Sequence, residues 1–131
     1  MEHALAAADG HGTAVDKLSA ILQSHLRAMG ESPAFSRAFL RERRFLPQEA
    51  RRRVGRVARR YERIIEGVIE AGIAAGELRG DLDARLAMLG LLGMVNAAVD
   101  WHDKKGFTMA RIAEEFTRLG VAGIAAKGRA R

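Results

Sequence analysis

The four histidines are the first candidates for chemistry, because imidazole is a common metal ligand and proton-transfer group. They stand in separate segments, at His3, His11, His25 and His102, without i,i+4 pairing, and the sequence contains no cysteine. This spacing does not favour a zinc or haem site. No nucleophile elbow, Ser-His-Asp spacing or phosphate-binding glycine loop occurs either. We therefore expect neither an enzyme nor a bound cofactor.

Three polar side chains stand within apolar patterns. His25 lies on the flank of an apolar stripe, Tyr61 lies midway along a long helical pattern, and Asn96 is alone in an apolar run. A buried polar group needs a hydrogen-bond partner, and a few convergent polar groups in an apolar lining are typical of a ligand cavity. An internal hydrogen bond is the simpler account for Tyr61 and Asn96. A position facing a cavity is the alternative for all three residues.

Basic residues are concentrated between positions 37 and 63, where eleven arginines accompany only Glu42, Glu49 and Glu62. The net charge of +6 is compatible with nucleic acid or anionic ligands. A nucleic-acid surface would need these charges on one face, but the arginines of one helix cover a broad arc opposite its apolar stripe, which favours a solvated face over a DNA surface. A third interpretation is that some of them flank a pocket and attract a carboxylate or phosphate-bearing ligand.

The elements that must position these residues are helices. Apolar residues recur at three and four positions along the chain, and no segment shows the alternation of a half-buried strand. Thr13 and Asp16 form a capping-box pattern, Pro33 starts a helix, Gly30 is expected to end the second helix, and Asp81 is expected to cap the fifth. The sequence predicts an all-α fold of six helices, over about residues 2–8, 13–29, 33–44, 47–76, 82–102 and 108–126.

The fourth and fifth helices set the expected architecture. The fourth would span roughly 45 Å, and we expect it to be the central rod. The fifth is apolar on nearly every side from Leu86 to Val99, a run shorter than the about 20 residues of a membrane span. Such a helix needs neighbours on two faces, one of which we expect from a second subunit. Gly90, Gly93 and Ala97 either permit close helix packing or reflect a Gly- and Ala-rich composition.

Length and composition limit the classes of protein to which the chain can belong. With 131 residues, of which 48% are apolar and 29% charged, the chain has the balance of a soluble globular protein. Residues 1–131 are expected to form one domain. The N-terminus lacks the basic and apolar segments of a signal peptide, so the expectation is a cytoplasmic protein without membrane association.

A resemblance to a known family rests on an ordered series of motifs. Pro33-Ala34-Phe35 is followed by Phe39-Leu40-Arg41-Glu42 and then by Tyr61-Glu62 in the long helix. The most specific stretch is 71–83, where a Gly-Glu-Leu-Arg turn leads to Asp-Leu-Asp, and the run from Leu91 to Asn96 follows it. From about residue 32 to residue 123, this order resembles the C-terminal domain of TetR-family transcriptional regulators.

The resemblance implies a bacterial regulatory domain whose last two helices pair with those of a second subunit as a four-helix bundle. It also implies that the earlier helices surround a pocket for a small apolar or acyl-type effector. The residues expected to line the pocket are His25, Met29, Phe35, Phe39, Tyr61, Ile65, Leu92 and Asn96. Those expected at the homodimer interface are Leu91, Val95, Ala98, His102, Ile112, Phe116, Leu119 and Gly123.

In the TetR family, effector binding controls a helix-turn-helix that precedes this domain. No such motif precedes the first helix in this sequence, so DNA binding is expected only through a domain that these residues do not include. The segment from His102 to Gly106 departs from the aromatic, proline-containing segment of acyl-binding members. Two alternatives remain, namely a stand-alone helical interaction module that binds no ligand, and direct nucleic-acid binding through residues 37–63.

Overall fold

The computed structural model describes residues 2–127, which form six α-helices joined by short turns. The helices are α1 (Glu2–Asp9), α2 (Ala14–Glu31), α3 (Pro33–Glu42), α4 (Gln48–Ala74), α5 (Ala84–Lys105) and α6 (Met109–Ile124), with a short 3₁₀ helix, Arg43–Phe45, between α3 and α4. The only β pairing in this part of the chain is an isolated bridge between Leu78 and Ala125. The prediction of an all-α, six-helix fold is confirmed.

The helix starts follow from side chains that bond free backbone amides. The Asp16 amide donates to the Thr13 hydroxyl, and the Thr13 amide donates to the Asp16 carboxylate, which confirms the capping box at the start of α2. The prediction that Asp81 caps the fifth helix is wrong. Asp83 is the cap, because its carboxylate accepts a hydrogen bond of 3.0 Å from the Leu86 amide.

Helix α2 does not end at Gly30, as predicted, but at Glu31. The glycine has a packing reason instead. A Cβ at this position would lie 2.9 Å from the Cβ of Met109, so α6 approaches α2 too closely there for a side chain. The predicted end of the sixth helix is also too late, because Ala125 is extended and pairs with Leu78.

Helix α2, and not the longer α4, lies at the centre of the fold. It contacts all five other helices, and Leu18, Leu22 and Leu26 are fully buried along it. Helix α4 has buried residues only in its second half, between Ile65 and Gly72. Its first half carries most of the arginines, whose charges are costly to bury. The expectation that the fourth helix is the central rod is therefore wrong.

One end of the fold is held by a close approach of three segments. A Cβ on Gly72 would lie 2.6 Å from the Cβ of Ala14 and 2.8 Å from Cδ1 of Leu78, so no side chain fits between α4, α2 and the turn after α4. The Ala14 amide also donates to the Glu77 carboxylate at 3.2 Å. Together these contacts fix the register of α4 against α2.

Helix α5 has one buried face and one exposed face. Met88, Val95 and Val99 are almost completely buried, whereas Leu86 and Leu89 are 66% and 43% exposed. Although α5 contains a long apolar run, none of the helices between residues 2 and 127 is long and apolar enough to cross a membrane.

Candidate functional site

Two adjoining cavities lie beside α2. The first, of about 700 Å³, lies between α1, α2, α3 and α4, and the second, of about 430 Å³, lies between α2, α3, α4 and α5. The two share a set of lining residues from four elements: His25, Met29, Phe35, Ser36, Phe39, Arg43, Ala58 and Tyr61. The two cavities thus share one set of bordering side chains, and together they are called here the paired cavity, with an α1 side and an α5 side.

Seven of the eight residues predicted to line a pocket border the paired cavity, namely His25, Met29, Phe35, Phe39, Tyr61, Leu92 and Asn96. The eighth, Ile65, does not border it. Ile65 is fully buried in the hydrophobic core, one helical turn beyond Tyr61 on α4, where the second half of that helix packs against its neighbours.

Sequence reasoning missed several lining residues on α4 and in the 3₁₀ helix. Val54, Val57 and Ala58 share a face of α4 with Tyr61, and their helical spacing was the signal that could have found them. Arg43 lines both sides of the paired cavity. Nothing in the sequence distinguishes Arg43 from the arginines around it.

Helix α3 borders the paired cavity without being buried itself. None of its side chains is buried, and Phe35 and Phe39 are 70% and 37% exposed although both contribute to the cavity lining. Their rings stack with centroids 6.2 Å apart. The paired cavity is thus bordered on this side by aromatic rings that are open to solvent.

Polar contacts hold α3 against the C-terminal part of α5. The Arg37 guanidinium donates to the carbonyl oxygen of Val99 at 3.0 Å and pairs with Asp103 at 3.2 Å. Arg41 pairs with Asp100 at 2.9 Å. The Arg41–Asp100 pair is exposed and therefore contributes little to stability, whereas the Arg37 side chain is only 26% exposed and also bonds the backbone of α5.

Three polar side chains from α2, α4 and α5 form a continuous hydrogen-bonded chain. The distance from His25 Nδ1 to Tyr61 Oη is 2.8 Å, and that from His25 Nε2 to Asn96 Oδ1 is 2.7 Å. A carboxamide oxygen can only accept, so His25 Nε2 carries the hydrogen and Nδ1 accepts from the Tyr61 hydroxyl. The internal hydrogen bonds expected for Tyr61 and Asn96 are confirmed, and all three residues also line the paired cavity.

Burial sets the protonation states in this chain. Desolvation lowers the pKa of His25 below its ordinary value of 6.5, against the opposing effect of the hydrogen bond with Asn96. Desolvation also raises the pKa of Tyr61 to about 12. At neutral pH the imidazole is therefore neutral, the phenol keeps its proton, and the three groups carry no net charge.

Acidification should destabilise the chain through His25. Below about pH 6.5 the unfolded chain takes up a proton on His25 that the folded chain binds only at lower pH, so stability falls with pH in that window by at most about 1.4 kcal/mol per unit. The measurement is urea denaturation of the wild-type chain and of His25→Gln at pH 5, 6 and 7. We expect a smaller decrease in the variant; equal decreases in both chains would contradict a neutral, buried His25.

Positive charge surrounds the α1 side of the paired cavity. The arginines at positions 51, 52, 53, 56, 59, 60 and 63 are all exposed, which agrees with a solvated face. Arg43 and Arg53 nevertheless line the cavity. Within residues 2–127, the ion pairs involve arginines outside the 43–63 segment, so the charges of this segment are not neutralised by neighbouring carboxylates.

The other histidines are dispersed. His3 lines the α1 side, His11 lies in the turn before α2, and His102 lies near the end of α5. In the part of the chain that the structure describes, no three histidine or acidic side chains come close enough together to hold a metal ion.

Half of the expected interface residues face inward. Leu91, Val95, Ala98 and Ile112 are buried in the core of one chain, so they offer almost no surface to a second subunit, which does not fit their expected place at an interface. The reason is that α5 packs against α4, α2 and α6, and α6 packs against α2, so these side chains belong to the shared hydrophobic core. His102 and Phe116 are partly buried, whereas Leu119 and Gly123 are exposed.

Some of the exposed residues on α5 and α6 are apolar or glycine. We define the outer face as Leu86, Gly90, Gly93, Ala97, Leu119 and Gly123, all of which are exposed. A Cβ added to Gly90, Gly93 or Gly123 would meet nothing within 4 Å, so these glycines are not required by packing within one chain. Gly120 differs, because a Cβ there would lie 2.7 Å from Leu91 Cδ2.

An all-α fold with an apolar cavity between its helices is typical of small-molecule-binding helical domains. Over residues 11–124, the sequence matches the family described as tetracyclin repressor-like, C-terminal domain. The chain therefore belongs to this family of transcriptional-regulator domains, as the resemblance predicted. A comparison with curated protein sequences finds no match.

Solved structures of transcriptional regulators share this fold. The ketosteroid transcriptional regulator KstR2 of Mycobacterium tuberculosis is 17% identical, with a TM-score of 0.87 over 96% of this chain and 65% of that one. A TetR/AcrR-family regulator from Thermobifida fusca is 28% identical, with a TM-score of 0.82 over 93% and 64%. FadR of Bacillus subtilis, in complex with stearoyl-CoA, is 22% identical, with a TM-score of 0.78 over 94% and 67%. The chain thus spans about two thirds of the length of these regulators.

Proposed function

We propose that residues 1–131 act as one ligand-sensing and dimerisation domain of a TetR-like transcriptional regulator in the bacterial cytoplasm. The domain would bind a small apolar or acyl-type effector, and a helix-turn-helix outside these residues would contact DNA. The proposal assigns no catalytic reaction to the chain. Membership of the family and the similarity to transcriptional regulators support it.

The observation that carries this proposal is the paired cavity. Its two sides, of about 700 and 430 Å³, are lined mainly by apolar side chains, and a few neutral polar groups converge at one place. Small-molecule sites commonly have volumes of about 300–1,000 Å³ and this kind of lining. The paired cavity is therefore large enough for an apolar molecule, and its polar groups can orient that molecule through hydrogen bonds.

The charges at the α1 side support an effector with an anionic end. Arg43 and Arg53 line that side together with one acidic residue, Glu31, and within residues 2–127 neither arginine forms an ion pair. Arginine is well suited to bind carboxylate or phosphate groups. The FadR structure contains stearoyl-CoA, a thioester with a long apolar chain and phosphate groups. We propose that a ligand of this general class, apolar with one anionic end, fits this chain.

The outer face supports a homodimer. It consists of exposed apolar and glycine residues of α5 and α6, and its glycines would allow a partner helix to approach closely. In the proposed dimer, α5 and α6 of two copies pack as a four-helix bundle through Leu86, Gly90, Gly93, Ala97, Leu119 and Gly123. This interface keeps Leu119 and Gly123 from the one expected from sequence and adds exposed residues of α5.

Native mass spectrometry and a dye titration on the full chain test the proposal. We expect a dimer mass and saturable binding of 8-anilinonaphthalene-1-sulfonate, an apolar anion, with about one molecule per chain. A dimer that binds no dye would favour the interaction module without a ligand. A monomer would contradict the proposed interface. Tight, steeply salt-dependent binding to any DNA duplex would favour the nucleic-acid alternative.

A further inference from the structure

The hydrogen-bonded chain in the wall of the paired cavity leaves bonding capacity unused. Asn96 accepts from His25 through Oδ1, and within residues 2–127 its NH₂ group donates to no side chain or backbone atom. The Asn96 nitrogen is also not among the buried polar atoms that lack a partner, and Asn96 lines the α5 side of the cavity. The Asn96 NH₂ group thus keeps some exposed surface and has N–H donors to offer at the cavity wall.

Tyr61 can accept a further hydrogen bond, which complements the donors of Asn96. Its hydroxyl hydrogen is used in the bond to His25 Nδ1, so its oxygen retains lone pairs that can accept one more hydrogen bond. Tyr61 lines both sides of the paired cavity. The wall thus offers donors at Asn96 and an acceptor at Tyr61, and the imidazole between them fixes the orientation of both groups.

The three groups are neutral, and this limits what they can bind. None of the three side chains carries a positive charge that could balance a carboxylate, and none carries a negative charge that could balance an amine. The charged residues lining the α5 side are Arg43, which is exposed, and Glu62, which is partly buried. A polar group that reaches the chain is therefore bound best if it is uncharged, because burying an unpaired charge is costly.

We propose that the His25–Tyr61–Asn96 chain is the specificity element for an uncharged oxygen on the effector, a carbonyl that accepts from Asn96 Nδ2 or a hydroxyl that also donates to Tyr61 Oη. This inference rests on the proposed function, since it requires a ligand in the paired cavity. It adds that the ligand carries a neutral oxygen within an apolar body, apart from any anionic end.

A purely structural role of the chain predicts something different. If the three residues served only to hold α2, α4 and α5 together, removing one of them would change the affinity of all ligands alike. A matched pair of probes separates the two roles. Acetophenone and ethylbenzene have nearly the same shape and differ by one carbonyl oxygen, so their affinity ratio reports the hydrogen bond to that oxygen.

The experiment is an NMR titration of the full chain with each probe, followed at the ¹³C-labelled methyl group of Met29, which lines both sides. In Asn96→Leu we expect the acetophenone affinity to fall about threefold to tenfold relative to that of ethylbenzene. The matched control is Thr117→Val, because Thr117 is buried on α6 away from the paired cavity. There we expect an unchanged ratio.

A second variant keeps the test decisive if Asn96→Leu does not fold. Tyr61→Phe removes only the hydroxyl oxygen, and we expect it to weaken 1-phenylethanol relative to ethylbenzene by about threefold to tenfold. Affinity ratios that equal those of the wild-type chain would overturn the specificity role. If neither acetophenone nor ethylbenzene shifts the Met29 signal of a wild-type chain that binds 8-anilinonaphthalene-1-sulfonate, the inference fails and the proposed function stands; if the dye does not bind either, both fail.

Discussion

Replacement of Ala58 by phenylalanine is expected to weaken binding of 8-anilinonaphthalene-1-sulfonate by at least about a hundredfold. Ala58 is partly buried on α4 and lines both sides of the paired cavity, so a phenyl ring at this position occupies the space where the two sides meet. The ring projects into open volume and not into the packed core, so the chain should still fold. Fluorescence titration measures the affinity, and circular dichroism checks the helix content.

The matched control is the same substitution on α3. Ala38 is exposed and does not line either side of the paired cavity, so Ala38→Phe should bind the dye as the wild-type chain does. If both variants bound the dye with wild-type affinity, the dye would occupy another surface. If both lost binding, the loss would reflect a general disturbance and not a blocked cavity.

Replacement of Leu119 by arginine is expected to convert the proposed dimer into a monomer. Leu119 is 63% exposed in one chain and belongs to the outer face, so in the dimer each copy would bury an unpaired guanidinium. The cost of such a charge raises the dissociation constant by at least about a hundredfold. Sedimentation velocity over a range of protein concentrations measures the change.

Phe45→Arg provides the control for Leu119→Arg. Phe45 is a similarly exposed apolar residue, 69% accessible, but it lies in the 3₁₀ helix outside the outer face. We expect this variant to dimerise normally. A Leu119→Arg chain that remained dimeric would show that the outer face is not the interface and would leave its exposed apolar residues without an explanation.

The helices and their caps could be predicted because their signals are local. The capping box of Thr13 and Asp16 needs only two residues at the correct spacing, and it is present as predicted. The inward face of α5 could not be predicted in the same way. Where apolar residues surround a helix, periodicity does not distinguish Leu91, which faces the core, from Leu86, which faces solvent. That choice is made by the position of α2.

In the candidate site, too, local features could be predicted from the sequence and three-dimensional contacts could not. His25, Tyr61 and Asn96 were identifiable because each is a polar residue inside an apolar pattern. Their mutual hydrogen bonds were not predictable, since they depend on the register of α2, α4 and α5 in three dimensions. Ile65 satisfied the same pattern as the lining residues, and only its depth along α4 places it in the core.

The way in which α3 is attached has a consequence for access to the paired cavity. Because no side chain of α3 is fully buried, moving this helix away exposes only half-buried groups; its ion pairs to Asp100 and Asp103 can be replaced by water, and the bond from Arg37 to the Val99 carbonyl oxygen is broken. Lifting α3 is therefore a local opening, far less costly than unfolding the core. A molecule that enters the paired cavity along this path would need α3 to move away from α5. Dissolved salt screens the ion pairs that oppose this movement, so we expect higher ionic strength to speed both entry and release of a ligand.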